Sequence, residues 1–370
     1  MNKEIKVLNI IDHLGLGGAQ SVIMGIAKIM NNTGITIKLY SLRHSDLERG
    51  LNYPNVQIYS SPSKYSLKPI LSIRKLIKNN EINIIHCHLF RSQVFGWLLK
   101  FFFFPSIYLI YHEHGAILRD NIFSNLFYKL SRKFVDLFIA VSIITKENLT
   151  SEANIEENKI EVLPNYVDLK RFNRGNVTWS VDEEKAKLGI TDEKYIVGFA
   201  GRIIKMKGWR VLLSAAKILK EKNDINFLVA GEGGQSNELI DVIKHFGLEE
   251  NVKYLGFIDD MVWFYSLLDC FVMPSWWEAM GISVLESMAM GVPVIVSNVP
   301  ALNEIIFDRH NGLLFKSNDY VDLAEKVSTL AENPKLSSEI TKQGLNTANS
   351  YNFVRYKTRL INIYKSLLGD

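Results

Sequence analysis

Tyr195-Ile196-Val197-Gly198-Phe199-Ala200-Gly201-Arg202-Ile203-Ile204-Lys205-Met206-Lys207-Gly208 is the stretch that decides the fold. Residues 195–200 are apolar without alternation, the pattern of a strand covered on both faces. Gly201 and Gly208 bracket the turn that follows, and Lys207 is expected at the start of a helix. A buried strand that turns through glycine into a helix opens a βαβ unit, and such units build parallel sheets.

The same alternation extends in both directions. Downstream, strands are predicted at 225–230, 252–257, 270–273 and 293–297, with a last strand signal at 313–315. Upstream, runs rich in Ile and Val predict strands at 5–11, 36–41, 82–87, 107–111, 137–141 and 160–163. Helical periods at 18–31, 69–79, 92–103 and 123–134 separate most of these. At 370 residues the chain is long for one core, so two domains are expected. Pro164-Asn165 closes the first set, and the polar stretch 173–184 is read as the connection. The division is 1–175, then 185–352, then an amphipathic stretch at 353–370. Two doubly wound domains with facing strand ends would form a central cleft for a ligand.

A content of 47% hydrophobic and 22% charged residues excludes a largely disordered chain. Cys87 and Cys270 both lie in apolar runs, so a reducing compartment, the cytoplasm, is expected rather than a disulfide framework. No secretion signal is evident at the N-terminus. The net charge of +4 is uneven: residues 1–175 carry 22 Lys and Arg against 14 Asp and Glu. Such an excess suits an anionic partner, phosphate or an acidic membrane surface, or simply solvates exposed helices. Lys100 and Pro105 interrupt the apolar run 94–111, which falls short of the about 20 residues a membrane span needs. Phe101 to Phe104 cannot all face one side of a helix. Either some are exposed and meet a partner or lipid, as a peripheral membrane protein would, or the helix is buried on most sides.

Gly15-Leu16-Gly17-Gly18-Ala19-Gln20 follows the first strand and opens a helix. Glycines admit close backbone approach and helix amides attract phosphate, although the spacing matches neither the dinucleotide fingerprint nor a P-loop. Arg202 and Lys207 could neutralise a diphosphate, Arg through its fork and Lys as a point charge. The plain alternative is two solvated cations. The strongest signal is the run from Pro274 to Pro293, which leaves a buried strand, turns at Gly281 and enters a helix. Glu278 falls in the loop and Glu286 eight residues later in the helix, while the amides of Met280, Gly281 and Ile282 approach the helix start.

That run resembles the E-x7-E motif of the family 4 retaining glycosyltransferases, which have the GT-B fold. Gly17-Gly18-Ala19-Gln20, Gly201-Arg202 with Lys207-Gly208, Ala140-Val141-Ser142, and Val162-Leu163-Pro164-Asn165 with Asp168 support it in family order. The resemblance implies that Arg202 and Lys207 bind the donor diphosphate, Glu278 the sugar hydroxyls and Glu286 the ribose. Gly17 and Gly18 would sit against phosphate or sugar, and the amides of Met280, Gly281 and Ile282 would meet the transferred sugar. The family has a histidine near the reacting centre. His112 and His114 both match, and His114 is preferred because Gly115 follows it. Val299-Pro300-Ala301 departs from the family's Gly-Gly ahead of Glu304, which puts the donor sugar in doubt.

The resemblance further implies retention without a metal or other cofactor, with fixed cations offsetting the leaving group's charge. His86-Cys87-His88 places two imidazoles on one strand face, but no acidic or cysteine cluster accompanies them and no metal is expected. The expected donor is a UDP-sugar, with GDP as the alternative. The expected acceptor is a sugar or lipid-linked sugar in surface-polysaccharide assembly, such as lipopolysaccharide O-antigen or capsule. The C-terminal helix is expected to return to the first domain. A nucleotide-sugar epimerase of the same fold and a non-catalytic nucleotide-sugar-binding subunit are the rival readings.

Overall fold

The computed structural model describes residues 4–15, 17–30, 33–43, 58–60, 68–115, 122–191, 194–222 and 224–369. They divide into two compact units, Met1–Tyr166 with Phe353–Asp370, and Val167–Asn352.

The first unit is a seven-stranded sheet among the described residues, with every pairing parallel. Its strands are β1 (Lys6–Ile11), β2 (Thr36–Ser41), β3 (Ile58–Ser60), β4 (Ile84–His88), β5 (Tyr108–Glu113), β6 (Leu137–Ala140) and β7 (Ile160–Val162). They stand in the order β3-β2-β1-β4-β5-β6-β7. The helices are α1 (Gly18–Ile29), α2 (Lys68–Asn80), α3 (Phe90–Phe102), α4 (Ile122–Ser131) and α5 (Ile143–Ala153). From β1 the chain winds one way across the sheet and from β4 the other, so right-handed crossovers place α1 and α3 on opposite faces.

Three features of this unit differ from expectation. The three-residue β3 is too short to leave a periodic signal. Helix α5 lacked a clear apolar face in the sequence; Ser142 fixes its start by accepting from the Thr145 amide at 3.2 Å, and Asn154 ends it in the left-handed region. Strands β4 and β5 run past the predicted ends through His88, His112 and Glu113, all buried: His88 and Glu113 find hydrogen-bond partners inside the unit, and His112 stacks on His114.

Among the described residues the second unit is a six-stranded parallel sheet in the order β10-β9-β8-β11-β12-β13. Its strands are β8 (Tyr195–Ala200), β9 (Ile225–Ala230), β10 (Val252–Gly256), β11 (Cys270–Met273), β12 (Val294–Ser297) and β13 (Leu313–Phe315). The helices are α6 (Val181–Lys187), α7 (Trp209–Leu219), α8 (Ser236–His245), α9 (Met261–Ser266), α10 (Ile282–Ala289), α11 (Pro300–Asn303), α12 (Tyr320–Glu332) and α13 (Pro334–Ser350). Winding reverses between β8 and β11, which sets α7 and α10 on opposite faces. The polar stretch 173–184, read as a connection, is instead built into this unit. Trp179 Nε1 donates to Ser266 Oγ at 3.2 Å, and Trp263 Nε1 to Glu184 Oε2 at 2.9 Å.

Helix α14 (Phe353–Leu368) packs on α1 in the first unit. Arg359 donates to the Val162 carbonyl, and the Tyr364 hydroxyl lies 2.8 Å from His86 Nδ1. Among the described residues no helix is long and apolar enough to cross a membrane.

Candidate active site

In a doubly wound sheet the loops at the strands' C-terminal ends diverge where winding reverses, and the crevice between them admits ligands. In the second unit these loops follow β8 and β11. The first leaves β8 at Gly201, makes a 3-10 turn over Lys205–Lys207, and enters α7 after Gly208. Lys207 therefore precedes the helix rather than starting it. Gly208 has φ +69°, and a Cβ there would lie 1.8 Å from the Pro274 carbonyl oxygen, so this loop rests directly on the loop after β11. The Trp276 amide donates to the Met206 carbonyl at 2.9 Å and ties the two together.

Lys207 Nζ donates to Glu278 Oε1 at 2.6 Å across this junction. The same carboxylate oxygen accepts from Ser275 Oγ at 2.7 Å, and Glu278 is 8% exposed. The pair is thus a largely desolvated, charge-assisted hydrogen bond. Arg202 lies on the same loop but is exposed, with no ion-pair partner among the described residues. Lys205 stands 5.4 Å from the Trp276 ring centroid. The loop thus offers cations to solvent at Arg202 and Lys205 while Lys207 is held inward.

Past Glu278 the chain brings Met280 into the core and turns through Gly281, φ +87°, into α10. A Cβ on Gly281 would lie 2.6 Å from Leu302 Cδ2. Ile282 is the first residue of α10, and the helix start has no side-chain cap. Glu286, a turn further on, accepts from the Tyr265 hydroxyl at 3.0 Å. Burial pushes its carboxyl up to about 7, against the opposing effects of that hydrogen bond and the Arg171 charge. Glu304 ends α11, and Pro300 opens that helix at the altered loop.

In the first unit the reversal lies between β1 and β4. The Gly15 amide donates to His13 Nδ1 at 3.0 Å, Gly17 is the N-cap of α1 and Gly18 its first residue, both exposed; Leu16 lies outside the described residues. Asp12 at the end of β1 accepts from Arg43 Nε at 3.0 Å and from Arg91 Nη1 at 2.9 Å. Beside them four histidines stack where β4 and β5 end. Ring centroids are 4.2 Å apart for His86 and His88, 4.1 Å for His112 and His114, and 5.2 Å for His88 and His114. His88 Nδ1 lies 2.9 Å from His114 Nε2, and His88 Nε2 lies 3.1 Å from Asn9 Oδ1. Burial pushes all four imidazoles below their usual range, His86 and His114 to about 3. His112 is fully buried and neither ring nitrogen has a partner, whereas His114 is partly exposed. Nitrogens of His86, His88 and His112 fall within 4.8 Å of one another, a spacing a metal could use, but the group contains no carboxylate or thiolate. The neighbouring Glu113 is occupied by Gln93 Nε2 at 2.6 Å and the Tyr128 hydroxyl at 2.8 Å, and burial raises its carboxyl to about 7.

Residues 16–171 match the family model described as Glycosyltransferase Family 4, and residues 180–347 match that described as Glycosyl transferases group 1. The chain belongs to the family 4 glycosyltransferases. It is 29% identical to the N,N'-diacetylbacillosaminyl-diphospho-undecaprenol alpha-1,3-N-acetylgalactosaminyltransferase of Campylobacter jejuni, covering 82% of each chain. It is 26% identical to the UDP-Gal:alpha-D-GlcNAc-diphosphoundecaprenol alpha-1,3-galactosyltransferase of Escherichia coli, covering 80% of this chain and 79% of that one. Anabaena HepE in complex with UDP-glucose superposes with a TM-score of 0.86 at 21% identity, covering 98% of this chain and 100% of that one. The fold of this glycosyltransferase is therefore GT-B.

The glycosyltransferase fold brings Arg202, Lys207, Glu278, Met280 and Gly281 to the loops at one reversal point, with Ile282 and Glu286 in the first turns of α10 beside them. His114, Gly17 and Gly18 lie at the strand ends of the other unit. Sequence reasoning overlooked Tyr265, Ser275 and the Asp12–Arg43–Arg91 cluster. Ser275 stands within the run from Pro274 to Pro293, but nothing local marks Tyr265 as the partner of Glu286, 21 residues away.

Proposed function

We propose that this glycosyltransferase retains anomeric configuration, needs no metal, and moves a sugar from a UDP-sugar to a lipid-linked sugar during cell-surface polysaccharide assembly. The observation that carries the reading is the Lys207–Glu278 pair at 2.6 Å with Arg202 exposed on the same loop. When the glycosyl bond breaks, negative charge collects on the departing diphosphate and positive charge on the anomeric carbon. Arg202 and Lys207 offset the first without a metal ion, and electrostatics of this kind work best at a site already organised for them. Glu278, fixed by Lys207 and Ser275, takes hydroxyls of the transferred sugar, and the amides of Met280, Gly281 and Ile282 assist at the start of α10. Glu286 holds the ribose diol. A carboxyl raised to about 7 can both accept and donate hydrogen bonds near neutrality, which suits a diol. Gly17 and Gly18 leave room for phosphate or sugar. His114, neutral and more accessible than His112, serves the transferred sugar.

Two relatives whose names specify undecaprenol-diphosphate acceptors support the lipid-linked acceptor, and the galactosyltransferase's UDP-Gal supports a UDP donor. The enzyme would then work in the cytoplasm, peripherally at the inner face of the membrane. The test is to incubate the enzyme with UDP-sugars, GDP-sugars and an undecaprenyl-diphosphate-linked sugar, with and without a chelator. The expected result is chelator-resistant release of UDP and a product whose new linkage keeps the donor's anomeric configuration. An inverted linkage, or loss of activity with chelator, refutes the mechanism; isomerised donor in the absence of acceptor identifies an epimerase.

A further inference from the structure

The first unit carries a continuous apolar and basic face that the chemistry of sugar transfer does not use. Leu71 on α2, Phe101, Phe102 and Phe103 at the end of α3, and Leu126 and Leu130 on α4 are 38–66% exposed. Contacts beneath join them into one surface. Arg74 of α2 lies 4.9 Å from the Phe103 ring, Trp97 of α3 lies 5.8 Å from Phe127 of α4, and Phe101 lies 5.1 Å from Phe134. Apolar side chains this large are seldom left together in water unless something covers them.

Among the described residues of these helices the charges have one sign. Lys75, Lys78, Lys129 and Lys133 are exposed on the same helices and the turn after α4. Residues 68–80, 90–106 and 122–134 contain no Asp or Glu. Of the acids that flank these segments, Asp136 is taken up by Lys100 and Glu81, which follows α2, by Lys6. A second copy of the chain fits poorly, because a self-complementary contact would set these lysines against one another. An anionic bilayer satisfies both features at once, since aromatic and leucine side chains enter the headgroup region while lysines meet lipid phosphates.

We infer that this face, formed by α2, the C-terminal end of α3 and α4, docks on an anionic phospholipid surface. The inference deepens the membrane-facing part of the proposed function by naming the surface, and it rests on that part alone. It concerns attachment only: the protein lies on the bilayer, with Phe101, Phe102 and Phe103 as the deepest side chains and the basic helices flanking them.

The test is co-sedimentation of the full chain with vesicles of phosphatidylglycerol and phosphatidylcholine, against vesicles of phosphatidylcholine alone. Binding is expected only to the anionic vesicles and should weaken as salt is added. Phe102→Ser with Leu130→Ser removes two of the most exposed apolar groups and should lower vesicle affinity about tenfold or more. Lys75→Glu with Lys129→Glu should lower it at least as much, at about fivefold or more for each charge changed. All four side chains are exposed, so circular dichroism and transfer to a soluble sugar acceptor should match the parent. Equal binding to both vesicle types, or undiminished binding by both variants, overturns the inference. So does a dimer in sedimentation velocity that these substitutions dissolve, since that gives the face to a second copy. A parent that fails to bind vesicles yet transfers sugar would sink the docking face and leave the proposed reaction standing, whereas vesicle binding without transfer would do the reverse.

Discussion

Lys207→Ala should destabilise the second unit as well as slow it. The substitution removes the ammonium 2.6 Å from Glu278 Oε1 and leaves a carboxylate that is 8% exposed with the Ser275 hydroxyl as its remaining side-chain donor among the described residues. Stranding one member of a buried ion pair costs about 3–5 kcal/mol. The side chain of Lys207 is 22% exposed, so water can partly replace it and the lower end, about 3 kcal/mol, applies. In a unit of this size each kcal/mol moves the thermal midpoint by about 2–4 °C, which gives a fall of about 6–12 °C. Lys207→Ala combined with Glu278→Gln removes both charges and should recover much of the loss, leaving a coupling of about 2 kcal/mol or more. Calorimetry on the parent, the two single variants and the double variant reads this directly. A Lys207→Ala midpoint indistinguishable from the parent's, or a double variant that loses the sum of the single losses, would refute the reasoning.

Arg202→Ala should behave differently. The side chain is exposed, so the midpoint should hold while sugar transfer falls about 10²-fold; steady-state kinetics beside calorimetry check the split. Gly208→Ala should cost at least about 2 kcal/mol in urea unfolding, since φ is +69° and the new Cβ would meet the Pro274 carbonyl oxygen at 1.8 Å. The imidazoles of His86, His88, His112 and His114 are all lowered on folding, so the unfolded chain binds more protons below the usual histidine range. Stability of the first unit should therefore fall as pH drops from about 6.5 toward 3, and His112→Phe should flatten that fall in pH-dependent urea unfolding. Glu286 has the opposite sign: its carboxyl rises on folding to about 7, so its contribution is present below about 4.5 and lost as pH rises through 7. Glu286→Gln should gain stability relative to the parent at pH 8 and gain none near pH 4, again by urea unfolding.

Much of the fold was legible because its strands are uninterrupted. β8, β9, β11 and β13 begin and end where the apolar runs do, since a strand covered on both faces tolerates little polarity except at its ends. The ends of β4 and β5 and the 173–184 stretch were not legible, because their polar side chains are built into the fold. His88, His112 and Glu113 lie past the strand ends predicted at 87 and 111, yet all three belong to strands; Asn9 holds His88 and Gln93 holds Glu113 across spans that local sequence cannot display. The stretch 173–184 looked like a connection because it is polar. Two tryptophan nitrogens, on Trp179 and Trp263, bind it into the second unit from 87 and 79 positions away. The candidate site was legible as residue types at strand ends, and resemblance named Lys207 and Glu278 separately. That they bond one another across 71 residues follows only from the reversal of winding that brings their loops together. Tyr265 and Asp12 carried no signal at all, since nothing near them in the chain hints at their partners.

The hydrogen bond between Tyr364 and His86 spans 278 positions of chain. A ribosome must therefore release the whole of Val167–Asn352 before the first unit can receive its closing helix. At about 5–20 residues per second that interval lasts about 10–40 s. Throughout it the α1 surface that α14 covers stands open to the cell, while the later-made unit is free to finish first. Order of synthesis and order of completion are thus reversed, and shortening the chain by its last helix should injure the part of the protein that was made earliest.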